Sequence, residues 1–409
     1  MRFLFVHQNF PGQFLHLVRH LAAMRRHEVL FLSEPNQNRI GGVRVVPYRR
    51  PPQPPVETHL AARDLDAAAR RAETVATAAA TLKQLGFTPD IIIGHHGWGE
   101  LLNLPDVWPG VPLLGYCEFY YRIVDSDVGF DPEFPTPEAD YPRIRAKNAV
   151  NLLALQLGGL GQTPTQWQHS TYPDWARERI TLLPEGADLT RCKPDAKVRR
   201  TSLKIGDATI GPREKLVTYV ARDLEPYRGV HSMMRALPHL LRARADLRVV
   251  IVGGNGVSYG APPPKGSWKE TLLAELNGKV DLSRVLFPGR LDYATYLKLL
   301  QRSDAHVYLT YPFVASWSLR EALATGCAVI GSDTQPVREF VSDGENGRLV
   351  SFFDPKGLAD TVLEVIEDRS LARRLRAGAR AYAERNLDLR ATLDGYEALI
   401  RRLSGAGEV

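Results

Sequence analysis

Residues 309–333 carry the most informative spacing of polar groups in the chain, LTYPFVASWSLREALATGCAVIGSD. An apolar run opens this segment, and Ser316 is a suitable N-cap for a helix that begins at Trp317. The free backbone N–H groups of a helix start attract anions, and the hydroxyls of Ser316 and Ser318 would add donors. Glu321 lies one turn further on, and helical side chains lean toward the N-terminus, so its carboxylate would reach a polyol beside a bound phosphate.

This pattern offers what a nucleoside diphosphate needs. Backbone N–H groups would bind the diphosphate, and the Glu321 oxygens would accept hydrogen bonds from the two vicinal hydroxyls of a ribose. A solvated glutamate on an amphipathic helix would have the same sequence. The spacing around Glu321 alone leaves both interpretations open.

Two arginines follow a second apolar run, in the segment TYVARDLEPYRGV of residues 218–230. The run predicts a strand that ends at Val220 and a helix that begins near Gly229, with Arg222 and Arg228 in the connection between them. Two guanidinium groups suit a diphosphate and would stabilise the negative charge that grows on a leaving nucleoside diphosphate. Two solvated loop arginines are the alternative.

A third segment, VVIVGGNGVSYGAPP of residues 249–263, places glycines directly after an apolar run. The spacing G-x-G-x-x-x-G, and the prolines where a helix should begin, argue against a dinucleotide fingerprint. We expect a glycine-rich loop close to a bound donor, with Gly254 in contact. Arg290, just after the next predicted strand, is a further candidate for binding the donor.

The first half of the chain has two candidate positions at strand ends. Gly12 would let backbone N–H groups approach a phosphate or a sugar from the opposite side of a cleft. Glu118 could accept the proton of an acceptor hydroxyl, while a structural or acceptor-orienting role stays open. The adjacent histidines His95 and His96 point in different directions, so we expect no metal pair there, although one of them could line the cleft. The acidic run 125–127 sits in a long polar loop, and we expect no metal site.

Short apolar runs alternate with helical segments in both halves, which is typical of βαβ units and parallel sheets. The predicted fold is α/β, with two Rossmann-like doubly wound domains facing across a cleft. We place the first domain at residues 1–190 and the second at 191–385, with a C-terminal helix of about 386–409 packing back on the first. Residues 122–141 read as a lid or binding loop, and residues 190–211 as a linker region.

Composition narrows the function classes. The 409 residues are 44% apolar and 24% charged, with a net charge of +6. Scattered arginines argue against nucleic-acid binding, and peripheral membrane contact stays open. Three separated cysteines argue against a disulfide framework, and no run reaches the length of a membrane span. We therefore expect a cytoplasmic protein.

Together these residues resemble glycosyltransferase family 4, retaining enzymes with the GT-B architecture of two Rossmann-like domains. The resemblance is carried by Arg222, by Arg228-Gly229, by residues 321–333 (EALATGCAVIGSD), 337–339 (VRE), 343–347 (DGENG) and 183–188 (LPEGAD). The chain departs from the family twice. Phe313 stands where the first of two paired glutamates is expected, and Glu118 falls where a first-domain histidine is common.

The resemblance implies a polysaccharide or glycoconjugate hexosyltransferase that needs no metal or other cofactor. Glu321 would bind the ribose, Arg222 and Arg228 the diphosphate, and the backbone at Trp317 and Ser318 the phosphates. The donor would be a nucleoside-diphosphate sugar, with UDP favoured over GDP, and the acceptor a hydroxyl of a glycan, a lipid-linked molecule or a protein. A sugar-nucleotide epimerase and a non-catalytic nucleotide-sugar-binding partner subunit stay open as alternatives.

Overall fold

A computed structural model describes residues 1–405, which form two compact units. The first unit is Met1–Glu185 together with the C-terminal segment that begins at Arg390. The second unit is Gly186–Leu389. The sequence predicts domain boundaries at residues 190 and 385, whereas the second unit begins at Gly186 and ends at Leu389.

The first unit is built on a sheet of seven parallel strands in the order β3-β2-β1-β4-β5-β6-β7. The strands are β1 (Arg2–Val6), β2 (Glu28–Ser33), β3 (Val43–Pro47), β4 (Ile91–His95), β5 (Leu113–Tyr116), β6 (Leu160–Thr163) and β7 (Ile180–Leu182). The helices of this unit are α1 (Leu15–Ala23), α2 (Arg63–Gln84), α3 (Leu104–Val107), α4 (Tyr141–Gln156), α5 (Gln166–Thr171) and α6 (Asp174–Arg177).

The central strands of this sheet are buried on both faces, which explains their continuous apolar sequence. Residues 3–6 of β1 have no exposed surface. The last helix of the chain, Leu389–Ser404, also packs in this unit, where Tyr396 and Ile400 join the core around Phe5. Tyr396 Oη donates to Gln162 Oε1 at 2.9 Å. Residues 406–409 of the predicted terminal helix lie outside the described residues.

The second unit has a six-stranded parallel sheet in the order β12-β11-β10-β13-β14-β15, the order of a doubly wound nucleotide-binding fold. Its strands are β8 (Leu203–Ile205), β9 (Ala208–Ile210), β10 (Lys215–Asp223), β11 (Leu247–Gly254), β12 (Val285–Gly289), β13 (Ala305–Tyr308), β14 (Val329–Ser332) and β15 (Gly347–Val350). Its helices are α7 (Val230–Ala243), α8 (Trp268–Glu275), α9 (Tyr293–Arg302), α10 (Trp317–Ala324), α11 (Gln335–Arg338), α12 (Pro355–Glu367) and α13 (Arg369–Asn386). The last helix of the chain, which packs in the first unit, is α14 (Leu389–Ser404).

The predicted linker, residues 190–211, contains regular structure. Strands β8 and β9 pair as an antiparallel hairpin around Gly206, which has a φ of +57°. Leu203, Ile205 and Ile210 are buried against Leu216 of β10. Strands of three residues are too short for periodicity to reveal, so this part of the prediction is corrected: the segment covers the sheet.

Two further observations concern the chain as a whole. Cys117, Cys192 and Cys327 are free and buried. Among residues 1–405, no helix combines the length and the hydropathy that a membrane span requires.

Candidate active site

The candidate donor residues of the second unit lie just beyond the carboxyl ends of its strands. Arg222 is at the end of β10, Gly254 ends β11, and Arg290 directly follows β12. The segment after β13 leads into α10, which carries Glu321. Parallel strands end at one edge of a sheet, and this edge is where ligands bind in such folds. The second unit thus gathers its predicted residues at one edge.

Arg222, near the end of β10, and Arg228, in the connection to α7, have different environments. Arg222 is exposed, and its side chain has no hydrogen-bond or ion-pair partner among the described residues. Arg228 is only 6% exposed, and its Nη1 donates to Thr310 Oγ1 and to the carbonyl of Val314, both at 2.8 Å. Its guanidinium also lies 4.8 Å from the centre of the Tyr259 ring. Arg228 therefore holds the loop between β13 and α10, while Arg222 is available to an incoming anion.

Gly254 and Arg290 both lie next to the carboxylate of Asp223. Arg290 Nη2 donates to Asp223 Oδ1 at 3.0 Å, although the Arg290 side chain is largely exposed. A Cβ atom at Gly254 would lie 2.4 Å from the same carboxylate oxygen and 3.1 Å from Arg290 Nε. Glycine is required here because a side chain would displace this ion pair. The structure therefore gives Gly254 a packing role beside Arg290.

Glu225 anchors the glycine-rich loop and was not identified from the sequence. Its side chain is fully buried and accepts hydrogen bonds from three successive backbone N–H groups, those of Ser258, Tyr259 and Gly260, at 3.1, 3.2 and 2.9 Å. A carboxylate that accepts several N–H donors fixes the backbone that carries them. The loop that presents Tyr259 to Arg228 is therefore fixed by Glu225.

Helix α10 begins at Trp317, as predicted, with Ser316 at the N-cap position in an extended conformation. The Ser316 hydroxyl makes no capping bond; it lies 2.6 Å from the Ser318 hydroxyl. The Ser316 backbone N–H donates to Tyr308 Oη at 2.8 Å. The first N–H groups of a helix have no acceptor within the helix, so this half-buried start offers donors to an anion.

Both carboxylate oxygens of Glu321 are held by tyrosines of α9. Tyr293 Oη donates to Oε1 at 2.7 Å, and Tyr296 Oη donates to Oε2 at 2.8 Å. Burial raises the pKa of Glu321, while the two tyrosine hydroxyls act to lower it. Neither tyrosine was identified from the sequence, because residues 293 and 321 are brought together only by the fold.

Phe313, which replaces the expected glutamate, is buried in an aromatic cluster. Its ring centre lies 5.1 Å from that of Tyr259 and 5.5 Å from that of Tyr227. Tyr227 in turn lies 4.6 Å from Tyr311. An aromatic wall therefore stands where the resemblance expects a carboxylate.

In the first unit, Gly12 follows β1 with a φ of +54°. A Cβ atom at this position would lie 2.9 Å from Nδ1 of His7, so only glycine lets the loop approach that ring. Glu118 follows β5, and its Oε2 lies 3.4 Å from Nε2 of His95, at the end of β4. Gly12 and Glu118 are thus connected through a pair of histidines, since the His7 and His95 rings are 5.7 Å apart.

Two family models match the chain. One, described as Glycosyl transferase family 4 group, matches residues 25–192, and the other, described as Glycosyl transferases group 1, matches residues 204–382. Among curated proteins, the D-inositol 3-phosphate glycosyltransferase of Nocardia farcinica is 31% identical over 212 residues, which are 51% of this chain and 44% of that protein. The chain thus matches less than half the length of this relative.

Solved structures resemble the chain over its whole length. Sucrose-phosphate synthase from Thermosynechococcus elongatus has a TM-score of 0.73 at 18% identity and covers 100% of both chains. The HepE protein of Anabaena, in complex with UDP and glucose, has a TM-score of 0.68 at 16% identity, over 98% of this chain and 100% of that one. At these identities the likeness shows the fold. With one family model on each unit and two parallel Rossmann-like sheets, the chain belongs to the family 4-like glycosyltransferases of GT-B architecture.

Proposed function

We propose that the chain transfers a sugar from a nucleoside-diphosphate sugar, with UDP favoured over GDP, to an acceptor hydroxyl. One observation carries the proposal: Arg222, the start of α10 and Glu321 lie at or beyond the carboxyl ends of the second unit's parallel strands. They supply a free cation, N–H donors and a positioned carboxylate. These are the groups that a diphosphate and a ribose require.

The proposed reaction needs no metal because the protein itself supplies positive charge to the leaving group. The bond between the anomeric carbon and the β-phosphate oxygen breaks, and the electron pair stays on the nucleoside diphosphate. Arg222 and the N–H groups at Trp317 and Ser318 stabilise that charge. Arg228 keeps the preceding loop in place through Thr310 and Val314.

Glu321 binds the ribose in this proposal. Tyr293 and Tyr296 each occupy one lone pair of its carboxylate, which leaves further lone pairs for two sugar hydroxyls. The ribose hydroxyls then donate to a carboxylate that is already oriented. The structurally similar HepE protein of Anabaena is in complex with UDP and glucose, which supports a uridine nucleotide.

The acceptor oxygen attacks from the face that the leaving group vacates, so the anomeric configuration is retained. Glu118 of the first unit receives the acceptor's proton. The Nocardia relative is named for an inositol phosphate, which supports a small hydroxylated acceptor.

A product analysis tests this function. The chain is incubated with UDP-glucose, UDP-N-acetylglucosamine, GDP-mannose or GDP-fucose and a panel of hydroxylated acceptors, and the anomeric proton of any product is read by NMR. We expect a UDP-sugar to be used without added divalent cation and in the presence of a chelator, with an α-linked product from an α-linked donor. Inverted product, or transfer only with a metal, would contradict the mechanism.

The aromatic surroundings of Phe313 favour one competing function, a nucleotide-sugar-binding partner without turnover. A carboxylate is replaced there by a ring packed against Tyr227 and Tyr259. This alternative predicts donor binding without transfer to any acceptor in the same panel.

A further inference from the structure

Two buried histidines of the first unit have ring nitrogens that lack a partner. His7 and His95 are 3% and 2% exposed, at the carboxyl ends of the adjacent strands β1 and β4. Their Nε2 atoms are buried and make no hydrogen bond with any residue from 1 to 405. Because a buried polar group without a hydrogen bond destabilises the fold, such a pair calls for a ligand or a bound solvent molecule.

The backbone fixes how these rings present their Nε2 atoms. Gly97 N–H donates to Nδ1 of His95 at 2.9 Å, so the neutral ring carries its proton on Nε2. Asn9 N–H donates to Nδ1 of His7 at 2.9 Å, and the Asn9 carbonyl lies 3.0 Å from the same atom. In each ring, Nδ1 therefore contacts the backbone, and Nε2 is the nitrogen that a ligand can bind. Burial lowers the pKa of His7 to about 3, so that ring is neutral at physiological pH.

Glu118 stands next to the His95 donor without satisfying it. Glu118 Oε2 lies 3.4 Å from His95 Nε2, but Nε2 makes no hydrogen bond. The Glu118 side chain is 24% exposed, and its carbonyl is held by Gln168 Nε2 at 2.7 Å. A small oxygen-bearing group could accept from His95 and donate to Glu118 at once.

The charge at this edge favours a neutral ligand. Glu100 is fully buried, accepts from the Gln8 N–H and from Tyr48 Oη at 2.5 and 3.3 Å, and has an unpartnered Oε2. Arg71, a cation whose charge acts on His7, is paired with Glu34 at 3.3 Å. An anion would meet the Glu118 carboxylate here, and above pH 7 the Glu100 carboxylate as well, at a cost in Coulomb energy. A hydroxyl both donates and accepts, and so matches the site.

We propose that His7, His95 and Glu118 form a binding site for the hydroxyls of a neutral polyol, a sugar ring or a cyclitol that carries no phosphate at this position. One hydroxyl accepts from His95 Nε2–H and donates to the Glu118 carboxylate, and His7 Nε2 binds a neighbouring hydroxyl. Naming this polyol as the acceptor rests on the proposed function. The hydroxyl between His95 and Glu118 is then the one that loses its proton to Glu118.

Nuclear magnetic resonance of the full chain with ¹⁵N-labelled histidine tests the site without relying on turnover. Glucose and inositol are titrated in turn, each against its monophosphate, and the signals are assigned from the spectra of the His7→Asn and His95→Asn variants. We expect saturable shifts of both Nε2 signals with the neutral polyols and much weaker responses to the phosphates. No response to either polyol, or equal responses to the phosphates, overturns the proposal.

A pair of substitutions isolates the donor of His95. His95→Asn keeps an oxygen near the Nδ1 position for Gly97 but removes the Nε2 donor, and polyol affinity should fall about 5- to 10-fold. His95→Gln places an amide near Nε2 and should recover part of the affinity. His59→Asn is the matched control, because exposed His59 also accepts a backbone N–H, from Ala61. Equal affinity of His95→Asn and wild type would contradict the site.

The same labelled protein separates this inference from the proposed function. UDP is titrated in a parallel experiment, and thermal midpoints confirm that each variant is folded. Polyol binding without UDP binding would support the histidine site and remove the proposed function. UDP binding with no polyol response would do the opposite.

Discussion

Tyr296 donates a hydrogen bond of 2.8 Å to Glu321, across the gap between α9 and α10. Tyr293 binds the other oxygen of the same carboxylate at 2.7 Å. Two donors from one neighbouring helix, α9, restrict both the rotamer and the plane of the carboxylate. The proposed ribose site is therefore oriented before a nucleotide arrives, which reduces the entropy that binding must overcome.

Loss of one tyrosine hydroxyl should weaken nucleotide binding without removing it. Tyr296→Phe frees one Glu321 oxygen to rotate, and we expect the affinity for UDP to fall about 3- to 10-fold, as for one lost hydrogen bond. Isothermal titration calorimetry measures it. Tyr382→Phe is the control, because its hydroxyl donates instead to the carbonyl of Glu339. Unchanged affinity in Tyr296→Phe would show that the carboxylate needs no such support.

Removal of the buried arginine should affect stability as well as activity. Arg228→Ala leaves Thr310 Oγ1 and the Val314 carbonyl without their donor and empties the space beside Tyr259. We expect the free energy of unfolding to fall by about 2–4 kcal/mol, measured by denaturant titration. Arg222→Ala, at an exposed position, should leave it unchanged. Equal stability of the two variants would contradict the structural role of Arg228.

The anchor of the glycine-rich loop gives a further prediction. In Glu225→Gln, a neutral amide replaces a carboxylate that accepts three backbone N–H groups. Since hydrogen bonds to a charged group are the stronger ones, the free energy of unfolding should fall by about 1–3 kcal/mol. Limited proteolysis should also cleave the chain near Ser258 sooner than in wild type. Glu345→Gln, at an exposed position, controls for loss of charge. Identical cleavage rates would show that the loop does not depend on Glu225.

Glu100 should make stability depend on pH. Burial raises its pKa to about 7 from an ordinary value of 4.5, so the folded chain binds more protons than the unfolded chain between these values. The contribution of Glu100 to stability is complete below pH 4.5 and is lost as pH rises through 7. Glu100→Gln keeps an oxygen acceptor for Gln8 and removes the titration.

At pH 8, Glu100→Gln should therefore exceed wild type in unfolding free energy by on the order of 3 kcal/mol, and the difference should vanish near pH 4. Urea titrations of both proteins across this pH range measure the difference. A difference that stays constant with pH would mean that Glu100 does not titrate in this range.

The strands and the helix around the candidate donor site could be predicted from the sequence because each has a local signal. Strands β10 and β11 and the start of α10 at Trp317 have apolar runs and an N-cap residue as signals, although β10 continues to Asp223, three residues beyond its predicted end. The two doubly wound α/β domains follow from the alternation of such elements, while the GT-B architecture is implied by the resemblance to family 4. Local signals of this kind survive in almost any tertiary context.

The hydrogen-bond partners of the candidate residues could not be predicted from the sequence, because they belong to segments that are distant along the chain. Nothing near Arg228 in sequence shows that it would be buried against Thr310 and Val314, more than eighty positions away. The same holds for Glu321 with Tyr293, and for Asp223 with Arg290. The sequence therefore predicts where these residues lie along the chain, but not which side chains they contact in the fold.

The most direct test of the account is the affinity of UDP for wild type, Arg222→Ala and Arg242→Ala, measured by calorimetry at one ionic strength. Arg222 and Arg242 are both exposed arginines of the second unit, at the end of β10 and in the last turn of α7. We predict that wild type and Arg242→Ala bind UDP equally, and that Arg222→Ala binds about 10- to 100-fold more weakly, as for a lost charge-assisted hydrogen bond. Equal affinity of all three, or no binding of UDP by wild type, would contradict a nucleotide-sugar site at this edge of the second sheet.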